Sequence, residues 1–588
     1  MRPRFLLTPA LLLLLACPKA PPPPIGEAQK QIDRRLWYAV QDLASQAEAL
    51  LAQQEEMIWK NWTEGTPADI AKTYEGKDKL FSSVSIQMID QLRKSSIAAY
   101  QCTAVERGEP PQCPKDAWGS LEVRALTYLH VYFVGEHLSA MLVDQSDAIA
   151  NLEASLTFTA AGKEYHYRDL DRLLAVEKDP EKRQALYLGA TRAVERISLL
   201  ARRKDERAEA LLKELGYPSY ESFGEAIRYG NMDEIAQFAE QVLELTQNAY
   251  AKAMDRVAQR ELHTPFEKLR RADIPRLFKP QNMQFFFPKD ELLSRAQSTL
   301  KGLGFELSAM KNIRLDLREL TYKNPRPLTV SVAIPGDVRV SLKPTGGARD
   351  QAALLHELGL ALRFASMKDP DQAYPAGRAG FKPDLRFELT RLGSGAVAQA
   401  FAILFEQLVE DPEWLQQNAS LTGQKLQSQL MVAHAHRLYQ VRRRAGKLLY
   451  DVAVHRGEEP DARAVYHRIM SRAYGLAITT EDDARYVVDR DELYQPADDL
   501  RAWLIARQLQ QTLKKRFGAS WWRSPRAGDL LRELWSKGGA LYPQEIATSV
   551  DAATSTDELL RSFAAACSGL AETRAEAETA ELPVANGY

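Results

Sequence analysis

ALLHELGLALRF, Ala353–Phe364, is the stretch on which the reading of this chain turns. His356 and Glu357 stand as in the zinc-binding helix motif HExxH, but the place of the second histidine is taken by Leu360. Residues four apart on a helix lie one above the other, so two histidines at that spacing reach one ion. The glutamate after the first histidine serves the metal-bound water, and a carboxylate from another element completes three protein ligands. Leu360 offers hydrocarbon where a nitrogen is required. Arg363 falls near the same face two turns on; a guanidinium there repels a divalent cation and is expected to pair with a carboxylate. The other histidines, at 130, 137, 166, 263, 434, 436, 455 and 467, form no second HExxH. His434 and His436 are two apart on a predicted helix and so point in different directions. Each reads as a surface or satisfied core histidine.

Working outward, two short strand-like runs, LTVSVAIPG and DVRVSLKP (328–344), precede the motif, split by a Pro-Gly turn. TGGARD then opens the helix, with Asp350 as its expected N-cap. Most of the remaining body carries apolar residues at three- and four-residue spacing, as in DRRLWYAVQDLASQAEALLAQQEEMIWKNW, LEVRALTYLHVYFVGEHLSAMLV and MDEIAQFAEQVLELTQNAYAKAMDRVAQREL. The helix before LGYPSY stops at Gly216, with Pro218 beyond it. IPRLFKPQNMQFFFPKD breaks this pattern near 275. The expected architecture is mainly α and two-lobed: a helical lobe over 26–275, a second over 276–569 with a small hairpin or sheet before the motif helix, and a loose acidic tail over 570–588.

The first 24 residues, MRPRFLLTPALLLLLACPKAPPPP, differ from the rest. Two arginines precede an apolar run from Phe5 to Ala16, too short to span a bilayer and of signal-peptide length. Leu14-Leu15-Ala16-Cys17 resembles a bacterial lipobox, which makes Cys17 the lipidated residue, 1–17 the signal peptide and 18–25 a stiff proline-rich tether. Export permits disulfides, and Cys102 and Cys113 flank a GEPPQ turn within reach of each other; Cys567 reads as a buried helix residue. A formal net charge of -1 on 588 residues gives no global field for nucleic acid. The basic runs ARRKDER (201–207) and VRRRAGK (441–447) are expected to be solvated helix faces.

Over 150 to 548 the chain resembles the zinc oligopeptidase family that includes thimet oligopeptidase and oligoendopeptidase F. EKDPEKRQALYLGATRAVERISLLARRKDERAEALLKELGYPSYESF looks like the family's helical N-terminal half, and LLHELGLALRF like its HEFGHALH helix. AVAQAFAILFEQLVEDPEWL looks like the helix that supplies the third ligand, and DELYQPADDLRAWLIARQLQQTLKKRFGASWWRSPRAGDLLRELWSKGG like its C-terminal helices. The resemblance implies a gluzincin-like fold with a central channel. It makes His356 the retained zinc histidine, Glu357 a vestigial general base, and Leu360 and Gln399 degenerate ligand positions. Glu388 and Glu406 are the alternative carboxylates for the third ligand. Arg363 stands where the family often has a further histidine, and Asp499 in place of a tyrosine. Tyr486 and Tyr494 are the remaining substrate-binding tyrosines it implies.

Three functions stay open on these residues. The leading one is a lipid-anchored pseudopeptidase of the bacterial envelope, with no cofactor, that binds a peptide or an envelope protein. The second is an active zinc metallopeptidase drawing unusual ligands such as Glu388. The third is a structural lipoprotein whose channel is filled. Fold alone does not choose among them.

Overall fold

The computed structural model describes residues 33–569 apart from 67, 78, 104–109, 112, 114–116, 280–284, 370–383, 458, 551, 553 and 554. The signal peptide and Cys17, the tether over 18–25 and the tail over 570–588 lie outside the described residues. The chain is predominantly helical, with two small sheets.

Helix α1 (Arg34–Glu64) starts where the Asp33 carboxylate accepts from the Arg35 amide and ends at Gly65, whose φ of 69° suits a residue without Cβ. Its buried face runs through Trp37, Val40, Ala44, Ala47, Leu50 and Gln54 at helical spacing. Beyond it lie α2 (Ser83–Tyr100), α3 (Ala117–Met141), α4 (Pro180–Ala193), α5 (Glu195–Glu214) and α6 (Met232–Leu262). The second half holds α7 (Ala348–Ala365), which carries the motif, then α8 (Gly395–Glu406), α9 (Gly423–Arg456), α10 (Ala462–Tyr474), α11 (Gln495–Phe517), α12 (Pro525–Ser536) and α13 (Thr556–Gly569). Cys102 and Cys113 are joined as a disulfide after α2, and Cys567 is buried on α13. No helix among the described residues is long and apolar enough to cross a membrane.

The expected hairpin forms as β4 (Leu328–Ala333) antiparallel to β5 (Asp337–Ser341). Three strands escaped the sequence reading. β1 (Thr157–Ala160) and β2 (Lys163–His166) make a separate hairpin, and β3 (Ile313–Asp316) pairs parallel with β5. The sheet order is β3-β5-β4, so β4 is an outer strand. Asp350 is not the N-cap of α7, contrary to expectation. Gly347 holds that position, and the Asp350 carboxylate in the first turn reaches back to the amides of Thr345 and Gly346 at 2.5 and 2.9 Å.

The hydrophobic cores do not divide at 275. Besides a small core around Phe158, Leu174 and Tyr187, one large core joins residues between Trp37 and Phe278 with residues between Leu385 and Cys567, and the other gathers Phe287 to Leu430 with Ala502 to Val550. Helix α9 belongs to both: Leu426 and Leu430 enter one, Val432 to Ala453 the other. VRRRAGK on this helix is not a solvated face. Arg442 is fully buried and donates to the carbonyls of Leu243 (2.7 Å), Arg472 (2.8 Å) and Ala473 (3.2 Å), binding α9 to α6 and α10. The apolar flanking positions carry it inside, and main-chain carbonyls of α6 and α10, with the Thr246 hydroxyl and the Gln247 amide oxygen, satisfy its donors.

Gly359 lets α7 lie against α8. A Cβ there would stand 2.9 Å from the Phe401 carbonyl oxygen and 3.1 Å from Phe405 Cδ2. Gly359→Ala is therefore expected to lower the melting temperature. Overpacking costs about 1–3 kcal/mol against a helix-propensity gain of about 1 kcal/mol. A thermal scan showing equal or higher stability would contradict this packing.

Candidate functional site

Leu354, Leu355, Leu358, Ala361 and Leu362 of α7 are fully buried, facing the sheet, α8 and neighbouring elements. The half-buried positions Ala353, His356, Glu357, Leu360 and Phe364 make the remaining stripe. Leu360 thus shares the His356 side of the helix, as the spacing predicts, and contributes only carbon.

His356 Nδ1 lies 2.8 Å from Oε2 of Glu406, the last residue of α8. The other Glu406 oxygen accepts from Arg437 of α9 at 2.7 Å, and Arg437 also donates to Glu410 at 2.6 and 2.9 Å. Imidazole, carboxylate, guanidinium and carboxylate form one chain across three helices and a short 3-10 turn. Burial alone lowers the His356 pKa, but the hydrogen bond and charge of Glu406 raise it by more. Burial alone raises that of Glu406, yet the Arg437 charge and the His356 contact hold it well below the usual carboxylate range. Glu410 is left with a raised pKa, its burial outweighing Arg437. Glu357 also sits high, chiefly through burial, and its carboxylate accepts from Thr329 Oγ1 of β4 at 2.6 Å.

The other expected residues are placed elsewhere. Glu388 lies on a π-helical turn, Phe387–Arg391, buried and with Oε2 lacking a hydrogen-bond partner. Burial pushes its pKa up to about 8; the charges acting on it are Asp384 and Glu48, not His356. Gln399 is half-buried on α8, two turns before Glu406, and Glu406 is the residue that reaches His356. Arg363 is buried and donates to the Gly538 carbonyl at 3.4 Å rather than to a carboxylate; burial lowers its pKa to about 10. Asp499 accepts from Arg444 at 2.7 Å.

Tyr494, expected at the substrate, is wholly buried, its ring against Gly224 and its hydroxyl unpartnered. Tyr486 is half-buried beneath Arg463 and packs on a core. His434 and His436 are neutral through burial, with pKa values lowered to about 4 and about 3; His436 packs on Phe278.

Zinc does not fit this donor set. Three protein ligands and an open position are needed. Here one imidazole nitrogen is engaged by a carboxylate that is itself bound to a guanidinium, and Leu360 and Gln399 supply no anionic or imidazole donor. Among the described residues no three His, Cys, Asp or Glu side chains converge to hold a metal ion. The arrangement ties α7, α8 and α9 together, with Glu357, Thr329 and Leu360 half-buried beside it.

Sequence reasoning missed Arg437, Glu410 and Thr329. The signal was available in FEQLVE: acids at 406 and 410, one turn apart inside an apolar run, require a buried cation.

The fold has known counterparts. The chain superposes on PZ peptidase A, solved with an inhibitor, with a TM-score of 0.65 at 12% identity, covering 94% of this chain and 98% of that one. A candidate oligoendopeptidase F from Bacillus anthracis gives 0.58 at 13% identity, with 96% and 97% covered. At these identities the likeness is one of fold. No protein-family model matches the chain, and no curated protein matches it.

Glu406→Gln leaves Arg437 facing one carboxylate and is expected to cost about 3–5 kcal/mol, as for other broken buried pairs. The His356 contribution has a definite pH sign. Its pKa is raised on folding, so its stabilisation is full below about 6.5 and fades as pH rises through the folded value. His356→Gln should therefore destabilise more near pH 5.5 than near pH 9 in urea titrations; equal penalties would exclude the charged pair.

Proposed function

We propose that this chain is an exported, lipid-anchored protein that binds a peptide or an envelope protein on an oligopeptidase-like body, without zinc hydrolysis. The observation that carries this reading is the chain His356–Glu406–Arg437 beside Leu360. Peptide hydrolysis of the zinc type needs a metal that polarises the carbonyl and ionises water. The donors for that metal are replaced or tied up, while the scaffold around them is kept. Buried ion pairs of this kind hold helices in register and make a rigid frame for a ligand. The lipobox-like Leu14–Cys17 supports the anchor, with Cys17 as the lipidated residue and 18–25 as tether.

Protein dialysed against trace zinc should hold far less than one zinc per chain by elemental analysis. A pool of random nonapeptides should raise its melting temperature without added metal; saturation at 100 times Kd corresponds to about 2.7 kcal/mol. Stoichiometric zinc with peptide cleavage would replace this reading by that of an active metallopeptidase.

The anchor is tested separately. Wild-type full-length chain made in a bacterial host should partition into the detergent phase, and Cys17→Ser should leave it aqueous. Equal partition of the two would remove Cys17 as the lipid site.

A further inference from the structure

Between Arg437 and Lys447, helix α9 carries a run of basic side chains that are paired with one exception. Arg437 holds Glu406 and Glu410, Arg442 holds main-chain carbonyls, Arg444 holds Asp499 and Lys447 holds Asp491. Arg443 differs. Its Nε donates to the Tyr474 hydroxyl at 3.3 Å, and among the described residues its Nη1 and Nη2 have no hydrogen-bond partner. The side chain is half-buried, where a charge without a partner is costly.

Tyr474, the last residue of α10, is 1% exposed. Its hydroxyl oxygen also accepts from Arg271 Nη2 at 3.2 Å. A guanidinium can only donate, so both contacts use the oxygen as acceptor and leave the hydroxyl hydrogen over. Among the described residues nothing accepts that hydrogen. Tyr466 is the balanced case beside it: its oxygen accepts from Arg271 Nη1 at 2.6 Å, and its hydrogen goes to Asp489 Oδ2 at 2.6 Å. The charges are unequal in the same sense. Burial alone raises the Asp489 pKa, yet the charges of Arg485, Arg271 and Arg443 hold it well below the usual carboxylate range. Asp482, the second carboxylate, stands 3.9 Å from Arg271 and accepts from Tyr187 at 2.7 Å. Three guanidinium groups thus face two carboxylates, and the donors left over are the fork of Arg443 and the adjoining O–H of Tyr474. Such a fork gives two parallel N–H bonds to a planar carboxylate. One negative charge cancels the excess, whereas a phosphate dianion overshoots it.

We propose that Arg443 and Tyr474 form a binding site for a carboxylate from outside the chain, with Arg271 and Asp489 as the residues that position them. Arg271 over the Tyr474 ring at 4.8 Å and Tyr439 stacked on it at 5.8 Å fix the phenol. The site is separate from the His356 chain. Arg443 lies beyond Arg437 on α9 by about 9 Å along the helix axis, and the proposal does not rest on the peptide-binding reading.

The test is calorimetric titration of the full chain with sodium acetate, with chloride and phosphate at equal ionic strength as comparisons. Wild type should bind acetate saturably, phosphate more weakly and chloride not at all. Arg443→Gln should abolish the binding. Arg443→Lys, which keeps the charge but loses the fork, and Tyr474→Phe should each weaken it on the order of tenfold, the worth of one hydrogen bond to a charged group. Without acetate, Arg443→Gln should melt no lower than wild type, because it removes an unpaired charge; a merely structural arginine gives a loss. N-acetylglycylglycine and its C-terminal amide distinguish the source. A free acid that binds more tightly than acetate, with a silent amide, assigns the carboxylate to a peptide end. Equal affinities of the free acid and acetate assign it to a small acid. Absence of saturable acetate binding by wild type, phosphate binding tighter than acetate, or unchanged affinity in Arg443→Gln overturns the site. The nonapeptide pool tests the peptide-binding reading independently of these results.

Discussion

The approach of α7 to α8 at Gly359 sets where every other part of the site lies. With no side chain at that position, the Phe401 carbonyl and the Phe405 ring fill the space. His356 stands one turn before Gly359, and Glu406 one turn after Ala402, so this contact brings imidazole and carboxylate to 2.8 Å. Arg437 then has to enter from α9, because a carboxylate at that depth needs more than one imidazole to stay ionised. The polar chain is thus a consequence of backbone packing.

The motif helix, the hairpin before it and the long amphipathic helices were legible because periodicity is written over many residues. β3 was not: four residues, IRLD, carry too little alternation, and only pairing with the distant β5 makes them a strand. The absence of a second histidine at Leu360 could be read directly. The partner of His356 could not, since Gln399, Glu388 and Glu406 lie near each other in sequence and only helix phase and loop path choose among them. Phase places Glu406 at the end of α8, toward His356, and the π-helical turn sends Glu388 toward Glu48 of α1. Arg442 was misread for a related reason. A basic triplet looks solvated on its own, but one of its members sits on the face that α6 and α10 cover.

The position of Tyr494 is set by the backbone that precedes it. Tyr494 follows Leu493 in a pair of left-handed residues, φ 56° and 49°, at the head of α11. The Tyr220 hydroxyl holds the Leu493 amide at 2.8 Å, and Arg228 holds the Leu493 carbonyl at 2.7 Å. These bonds over-determine a strained turn that points Tyr494 into the core.

Helix α9 has a mechanical consequence. One unbroken rod of 34 residues is embedded at its first turns in one core and along the rest in the other. Its length has no internal glycine-proline break, and Gly446 is pressed against Ala473 of α10. The two cores therefore cannot swing about a flexible joint between them at this point. Relative motion there has to take the form of sliding, with packed side chains stepping past one another, a small-amplitude shear rather than a hinge.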